Sequence, residues 1–221
     1  MNKNLYALML TPILFIACAS DKAKVEKTAT QAVEQKVEVA KKAVIETTKV
    51  TKKETVISYV NKPDITEKGM MHIDGFMGSL KPTLDGLLKS DPKHTTALGA
   101  CSAMAMGMTD DYNQQVNDVK IRRTALKYRN KKNKPDSADT LVMERFLASG
   151  DFKKPLVIDA GDHYRVYKAL PTKASCTICH GAIEQMSPEV VKMIQRRYPK
   201  DLATGFKVGE FRGAVVAEVK K

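Results

Sequence analysis

Between Met70 and Leu88 the apolar residues Met70, Ile73, Met77, Leu80, Leu84 and Leu88 recur three or four apart. That spacing lines one face of an α-helix. Asp64, just after Pro63, is placed to cap this helix. Gly69, Gly75 and Gly78 count against its regularity. A second helix is predicted from Thr95 to Met108, with Cys101 inside it. A short strand is read in Val119-Lys120-Ile121-Arg122-Arg123, ahead of a basic loop of Asn, Lys and Pro. Asp136 or Ser137 starts a third helix through Leu141, Met143, Phe146 and Leu147. Lys154 to Asp159 and His163 to Leu170 read as strands of a hairpin turning at Ala160-Gly161-Asp162. Ser187-Pro188 opens another helix, with proline at its first position, which ends before Pro199. Phe211 to Val219 alternates as a last strand. Helices followed by a small antiparallel sheet with an inserted helix make an α+β fold in one domain over residues 63–221.

Upstream the pattern changes. Residues 20–60 are rich in Ala, Glu, Lys, Thr and Val, with no aromatic before Tyr59. Val25, Ala29, Val33, Val37, Ala40 and Val44 keep helical spacing, but the stripe is thin and its residues small. Alone it buries too little area to be stable. Residues 19–62 therefore read as a helical or disordered tether, with a weak coiled-coil contact as the sharper alternative.

Before the tether, Lys3 precedes an uncharged run from Leu5 to Ala17, the form of an export signal over residues 1–18. Ala17-Cys18-Ala19 fits ordinary signal cleavage before Ser20. Leu14-Phe15-Ile16-Ala17-Cys18 also fits a bacterial lipobox, apart from Phe15 where leucine is usual. The lipobox reading is preferred, because Cys18 stands where lipidation needs it and a tether follows. The expected location is the periplasm, anchored to the membrane through lipid on Cys18.

The 221 residues carry 37 Lys and Arg against 25 Asp and Glu, a net charge of +12. Such a surplus favours acidic partners or anionic membranes. Export argues against nucleic acid, the other usual partner of a basic chain. Four cysteines are too few for a disulfide scaffold, so they point to a site.

That site is Cys176-Thr177-Ile178-Cys179-His180-Gly181. The spacing C-x-x-C-H is the attachment signature of c-type haem. Two thiols three residues apart reach the two vinyl groups on one edge of a porphyrin, and the adjacent imidazole is carried under the ring to the iron. A structural disulfide, a redox C-x-x-C pair and half of a zinc site are the alternatives. A zinc site wants a second pair of soft ligands, and no second C-x-x-C or H-x-x-x-H occurs. A thioredoxin-like site wants a parallel βαβ unit and a helix starting at the motif, which Pro171 and Gly181 do not announce. One covalently attached haem is the expected cofactor. For the sixth iron position the candidates are Cys101, His94, Met104, Met106, Met108, His72 and His163, and spacing does not choose among them.

A set of motifs in order carries a family resemblance: Ala100-Cys101 with Ala105; Ile121-Arg122-Arg123-Thr124; Lys127, Arg129-Asn130, Asn133 and Pro135-Asp136; the C-x-x-C-H stretch; Tyr198-Pro199, Asp201, Ala203 and Gly205; Gly209 and Arg212-Gly213-Ala214. Over about residues 70–219 the chain resembles a family of bacterial and cyanobacterial c-type haem proteins and sensor input domains with a PAS-like fold. Lys131, where proline is common, and Asp139, where glutamate is common, depart from it. The resemblance implies a PAS-like antiparallel sheet with flanking helices. It also implies His180 as proximal and Cys101 as distal ligand. A thiolate ligand lowers the reduction potential and needs a cation or donor nearby. Arg122, Arg123 and Arg129 are candidates for that task or for holding haem propionates, against the plainer reading of a solvated basic face. Gly205, Gly209 and Gly213 read as turn and strand-packing residues.

Three functions follow: a redox protein with a protein redox partner, a gas or redox sensor acting through a partner, and an enzyme such as a peroxidase. The last ranks lowest, since no distal acid–base set is visible and a six-coordinate iron has no open position. The expectation is a non-enzymatic cytochrome-like protein.

Overall fold

The computed structural model describes residues 55–221, the side chains of residues 101–103 excepted. The expected signal segment, Cys18 and most of the tether lie outside the described residues. Thr55–Lys221 forms one compact unit.

The elements run β1 (Ser58–Tyr59), α1 (Pro63–Ser90), α2 (Thr95–Gln115), β2 (Val119–Thr124), α3 (Ser137–Ser149), β3 (Leu156–Asp159), β4 (His163–Pro171), α4 (Ala174–His180), α5 (Pro188–Arg197) and β5 (Phe211–Lys220). The five strands form one sheet in the order β1-β3-β4-β5-β2, every pair antiparallel. This is the expected α+β architecture, consistent with a PAS-like arrangement.

Helices cover both faces of the sheet. Ile73 and Phe76 of α1 pack on Ile121, Val166, Val215, Ala217 and Val219. Val142, Met143 and Phe146 of α3 pack on Ile158, Tyr167, Ala214 and Val216. Neighbouring residues of β5 thus serve opposite cores, as strand geometry requires. That is why Ala214 to Ala217 is apolar at every position instead of alternating: both sides are buried.

Local chemistry explains the element ends. Asp136 caps α3 by accepting from the Asp139 N–H, and Asp139 returns the bond to the Asp136 N–H. Ser187 accepts from the Val190 N–H at the start of α5. The first helix departs from expectation. Lys62 occupies the cap position and Pro63 the first turn, so Asp64 lies inside the helix. The helix then runs through four glycines and Pro82 to Ser90. At Gly69 the missing side chain lets α1 touch Val166: an added Cβ would lie 2.5 Å from Val166 Cγ2. Two further differences bear on the site. Strand β1 pairs with β3 upstream of Pro63, so the sheet recruits residues assigned to the tether. The C-x-x-C-H motif, where Pro171 and Gly181 announce no helix, forms one of its own, α4.

Candidate functional site

Helix α4 places Cys176 and Cys179 one turn apart, both half-buried and neither in a disulfide. Strand β4 ends at Pro171, Lys173 precedes the helix, and Gly181 ends it by donating its N–H to the Thr177 carbonyl at 2.9 Å. A Cβ on Gly181 would stand 2.6 Å from that carbonyl oxygen, so the chain leaves His180 this tightly only because the next residue is glycine. The strands on either side, β4 and β5, are antiparallel neighbours. A thioredoxin-type site needs the parallel crossover that is missing here.

His180 is held from both ends. Its backbone carbonyl accepts from the Phe206 N–H at 2.9 Å. Its Nδ1 lies 2.7 Å from the Ala203 carbonyl, and the Phe206 ring meets the imidazole edge-on. A carbonyl can only accept, so Nδ1 carries the proton and Nε2 keeps its lone pair. Burial, then the cations Arg212 and Arg129, push the imidazole well below the ordinary histidine pKa, against the opposite pull of Ala203. The ring is therefore neutral at physiological pH, the form that binds a metal.

Arg129 locks this arrangement. Its guanidinium donates to both oxygens of Asp201, at 3.2 and 3.0 Å, and to the carbonyls of Cys179 and Ala203. The same Asp201 accepts from the Ala203 N–H at 2.9 Å. One ion pair thus fixes both the end of α4 and the carbonyl that orients His180.

The three arginines considered from sequence are not brought together. Arg123 donates to the Ala105 carbonyl and the Met106 sulfur, tying β2 to α2 one turn beyond Cys101. Arg122, its neighbour in β2, points to the other face of the sheet. There it makes a two-pronged pair with Asp139, at 2.7 and 2.8 Å, and a bond to Glu218. Burial disfavours its charge, and the two carboxylates more than offset that, so its pKa stays raised. Arg122 is part of the α3 core and does not join His180. Successive strand residues face opposite ways, so at most one of this pair could reach the motif.

The side chain of Cys101 lies outside the described residues; its backbone is in α2. The other sixth-ligand candidates are scattered. His72 bonds Tyr112, His163 bonds Asp162, and Met108 packs against the α1 core. Met104 is 46% exposed. His94 precedes α2 in the left-handed region, with its Nδ1 buried and unbonded.

One residue was missed in the sequence as a site residue. Arg212, at the start of β5, donates Nη1 to the Lys127 carbonyl at 3.0 Å and lies over the Phe206 ring. Its Nε is buried without a hydrogen-bond partner. Burial and the nearby Arg129 cation push it down to about 10. The motif Arg212-Gly213 gave a hint, since a Cβ on Gly213 would lie 2.6 Å from the Thr124 carbonyl and its φ is +156°. A backbone that tight marks a bulge, and bulges re-aim side chains.

With the geometry in place, the comparisons decide the family. A family model described as Tll0287-like matches residues 20–219. The chain belongs to the Tll0287-like family. Its fold is shared by the cyanobacterial haem protein Tll0287, whose crystal structure superposes with a TM-score of 0.57 at 22% identity. The match covers 73% of this chain and 98% of that one. No curated protein matches the chain. Among the described residues of this Tll0287-like chain, no three His, Cys, Asp or Glu side chains gather into a metal cluster, and no helix is long and apolar enough to cross a membrane.

Proposed function

We propose that this chain is an exported, membrane-tethered c-type haem protein that transfers electrons, with one haem bonded through Cys176 and Cys179. The observation that carries the reading is the fixed tautomer of His180: Nδ1 is spent on Ala203, so a neutral Nε2 is left on the same short helix as two cysteines that form no disulfide. Family membership supports a haem cofactor, and covalent attachment rests on the C-x-x-C-H spacing. Each thioether forms by adding S–H across a vinyl group, so no outside oxidant is consumed.

In this reading His180 is the proximal ligand and Cys101 the distal one. Arg123 supports the second assignment, because it places a cation against the turn of α2 that follows Cys101. Such a cation favours a thiolate, and a thiolate ligand gives a low potential. Lipidation at Cys18 and a periplasmic location complete the proposal, with a protein redox partner and no enzymatic activity.

The test is mass spectrometry and a pyridine haemochrome on protein matured in a periplasm. The expected result is the polypeptide plus one haem that resists acid-acetone, lost entirely in the Cys176→Ser/Cys179→Ser double variant. Polypeptide mass alone from the parent protein would end the cytochrome account. Cys101→Ala is expected to keep the haem, change the ferric spectrum and raise the potential; an unchanged spectrum removes Cys101 from the iron. Inertness of the reduced parent toward CO fits electron transfer, and rapid CO binding would move the assignment to sensing.

A further inference from the structure

We propose that Arg212 is a binding site for a carboxylate, the anchor for one propionate of the porphyrin carried by α4. The inference rests on the haem reading above and goes beyond it by naming the group that fixes the acidic edge of the ring.

Three observations meet at this residue. Its side chain is half-buried with Nε fully enclosed, and among the described residues no carboxylate stands within ion-pair distance of it. Among the described residues its one hydrogen-bond partner is a backbone carbonyl, and Nε has none. The hydroxyl of Thr172, a residue 2% exposed, is also buried without a partner. Thr172 belongs to the same end of the sheet: its carbonyl accepts from Gly209 and its N–H donates to Glu210, two residues before Arg212.

A buried guanidinium is stable when a carboxylate takes its parallel N–H groups. The other buried arginine beside the motif, Arg129, has one in Asp201. Arg212 does not. Asp201, already held by Arg129, acts on Arg212 only from beyond ion-pair distance, so the position is that of a host still missing an anion, with its charge felt at His180. Haem supplies the missing species, because a porphyrin held by its vinyl edge at Cys176 and Cys179 carries two carboxylates on the far edge. Lys127 is exposed, and its Nζ also lies over the Phe206 ring, 5.2 Å from the centroid, as a second, looser cation. Phe206 itself is 8% exposed and meets both cations and the His180 ring.

The experiment is resonance Raman spectroscopy and redox potentiometry of covalently loaded holoprotein: parent, Arg212→Gln, Arg212→Lys, and Lys131→Gln as an exposed-charge control. In Arg212→Gln the propionate bending band is expected to shift and the potential to fall, since a cation near the iron is lost. Arg212→Lys should restore most of the potential but not the band, because a lysine makes no two-pronged contact. Lys131→Gln should match the parent in both. A parent-like propionate band in Arg212→Gln overturns the assignment. If that variant does not fold, Arg212→Lys decides alone: a shifted band supports the assignment and an unshifted one overturns it. A haemochrome of the parent separates the two levels, since absence of covalent haem there defeats the haem reading and this inference together, whereas haem with an indifferent Arg212 defeats only this one.

Discussion

The two ends of this sheet treat buried arginine in opposite ways. On the α3 face, Arg122 holds both oxygens of Asp139 and reaches Glu218, while Arg165 bonds Asp136 and lies 3.4 Å from Asp139. Tyr167 donates its hydroxyl to the same Asp139 at 2.8 Å. Every charge in that cluster has a protein partner. At the C-x-x-C-H end, Arg129 is paired and Arg212 is not. Burial is common to both ends, so burial does not mark a functional arginine. What separates them is whether the protein alone completes the charge. A network closed on itself builds the fold; one left open waits for a ligand.

The sharpest way to break this contrast is Asp139→Asn. Asp139 is 1% exposed, and the substitution keeps its shape while removing the charge that two arginines and a tyrosine address. Breaking one partner of a buried pair costs roughly 3–5 kcal/mol, and partial exposure of Arg122 places the expectation near the lower end. Urea unfolding measures it, with haem content per folded molecule unchanged. The acid limb gives a second reading. Burial raises the Asp139 pKa, but Arg122 and Tyr167 outweigh it, so the folded value is depressed. Its stabilisation is therefore present above the ordinary aspartate pKa of about 3.9 and lost as pH falls through the lower folded value. Asp139→Asn should flatten that limb. A loss under about 1 kcal/mol, or a loss of haem at unchanged stability, would show that the α3 network is not the structural one.

How much of this was visible in the sequence depends on the range of the interaction that decides it. The hairpin at Ala160-Gly161-Asp162, the Ser187-Pro188 helix start and the strand from Phe211 were legible, because turn and cap chemistry are local; the expected alternation of that strand gives way at Ala214 to Ala217, where both sides are buried. The C-x-x-C-H chemistry was legible for the same reason. The helix that carries it was not, since α4 is stabilised by Gly181 fitting against Thr177 and by backbone bonds that Gly205 and Phe206 donate to the carbonyls of Gly181 and His180. Strand β1 was missed because a two-residue pairing has no period to read. The long run of α1 past Gly75, Gly78 and Pro82 is a tertiary override of poor local propensity. The site's arginines were the hardest. Arg122 and Arg123 are adjacent and chemically identical, and only the β2–β5 register sends one to Glu218 and the other to α2. Arg212 looks like any strand-edge cation until the structure shows that no acid among the described residues pairs with it.

The mildest test compares the two helix caps. On the α3 face Asp136 serves as cap, as half of a capping box and as partner of Arg165. At the other end Ser187 only accepts a single long bond, 3.3 Å, from the Val190 N–H. Loss of a cap of this kind costs about 1 kcal/mol. Ser187→Ala is expected at or below that value by urea unfolding, with faster amide exchange in the first turn of α5. Helix α5 touches the site through Val190 and Ile194, which pack with Leu98 of α2 and with Cys179. If the C-x-x-C-H end relies on a cofactor for part of its order, the effect of Ser187→Ala should be larger in apoprotein than in holoprotein, because binding to the folded state alone adds to its stability. Equal effects in the two forms would mean that this end is as complete without its ligand as the α3 face is, and the distinction between a closed and an open network would fail there.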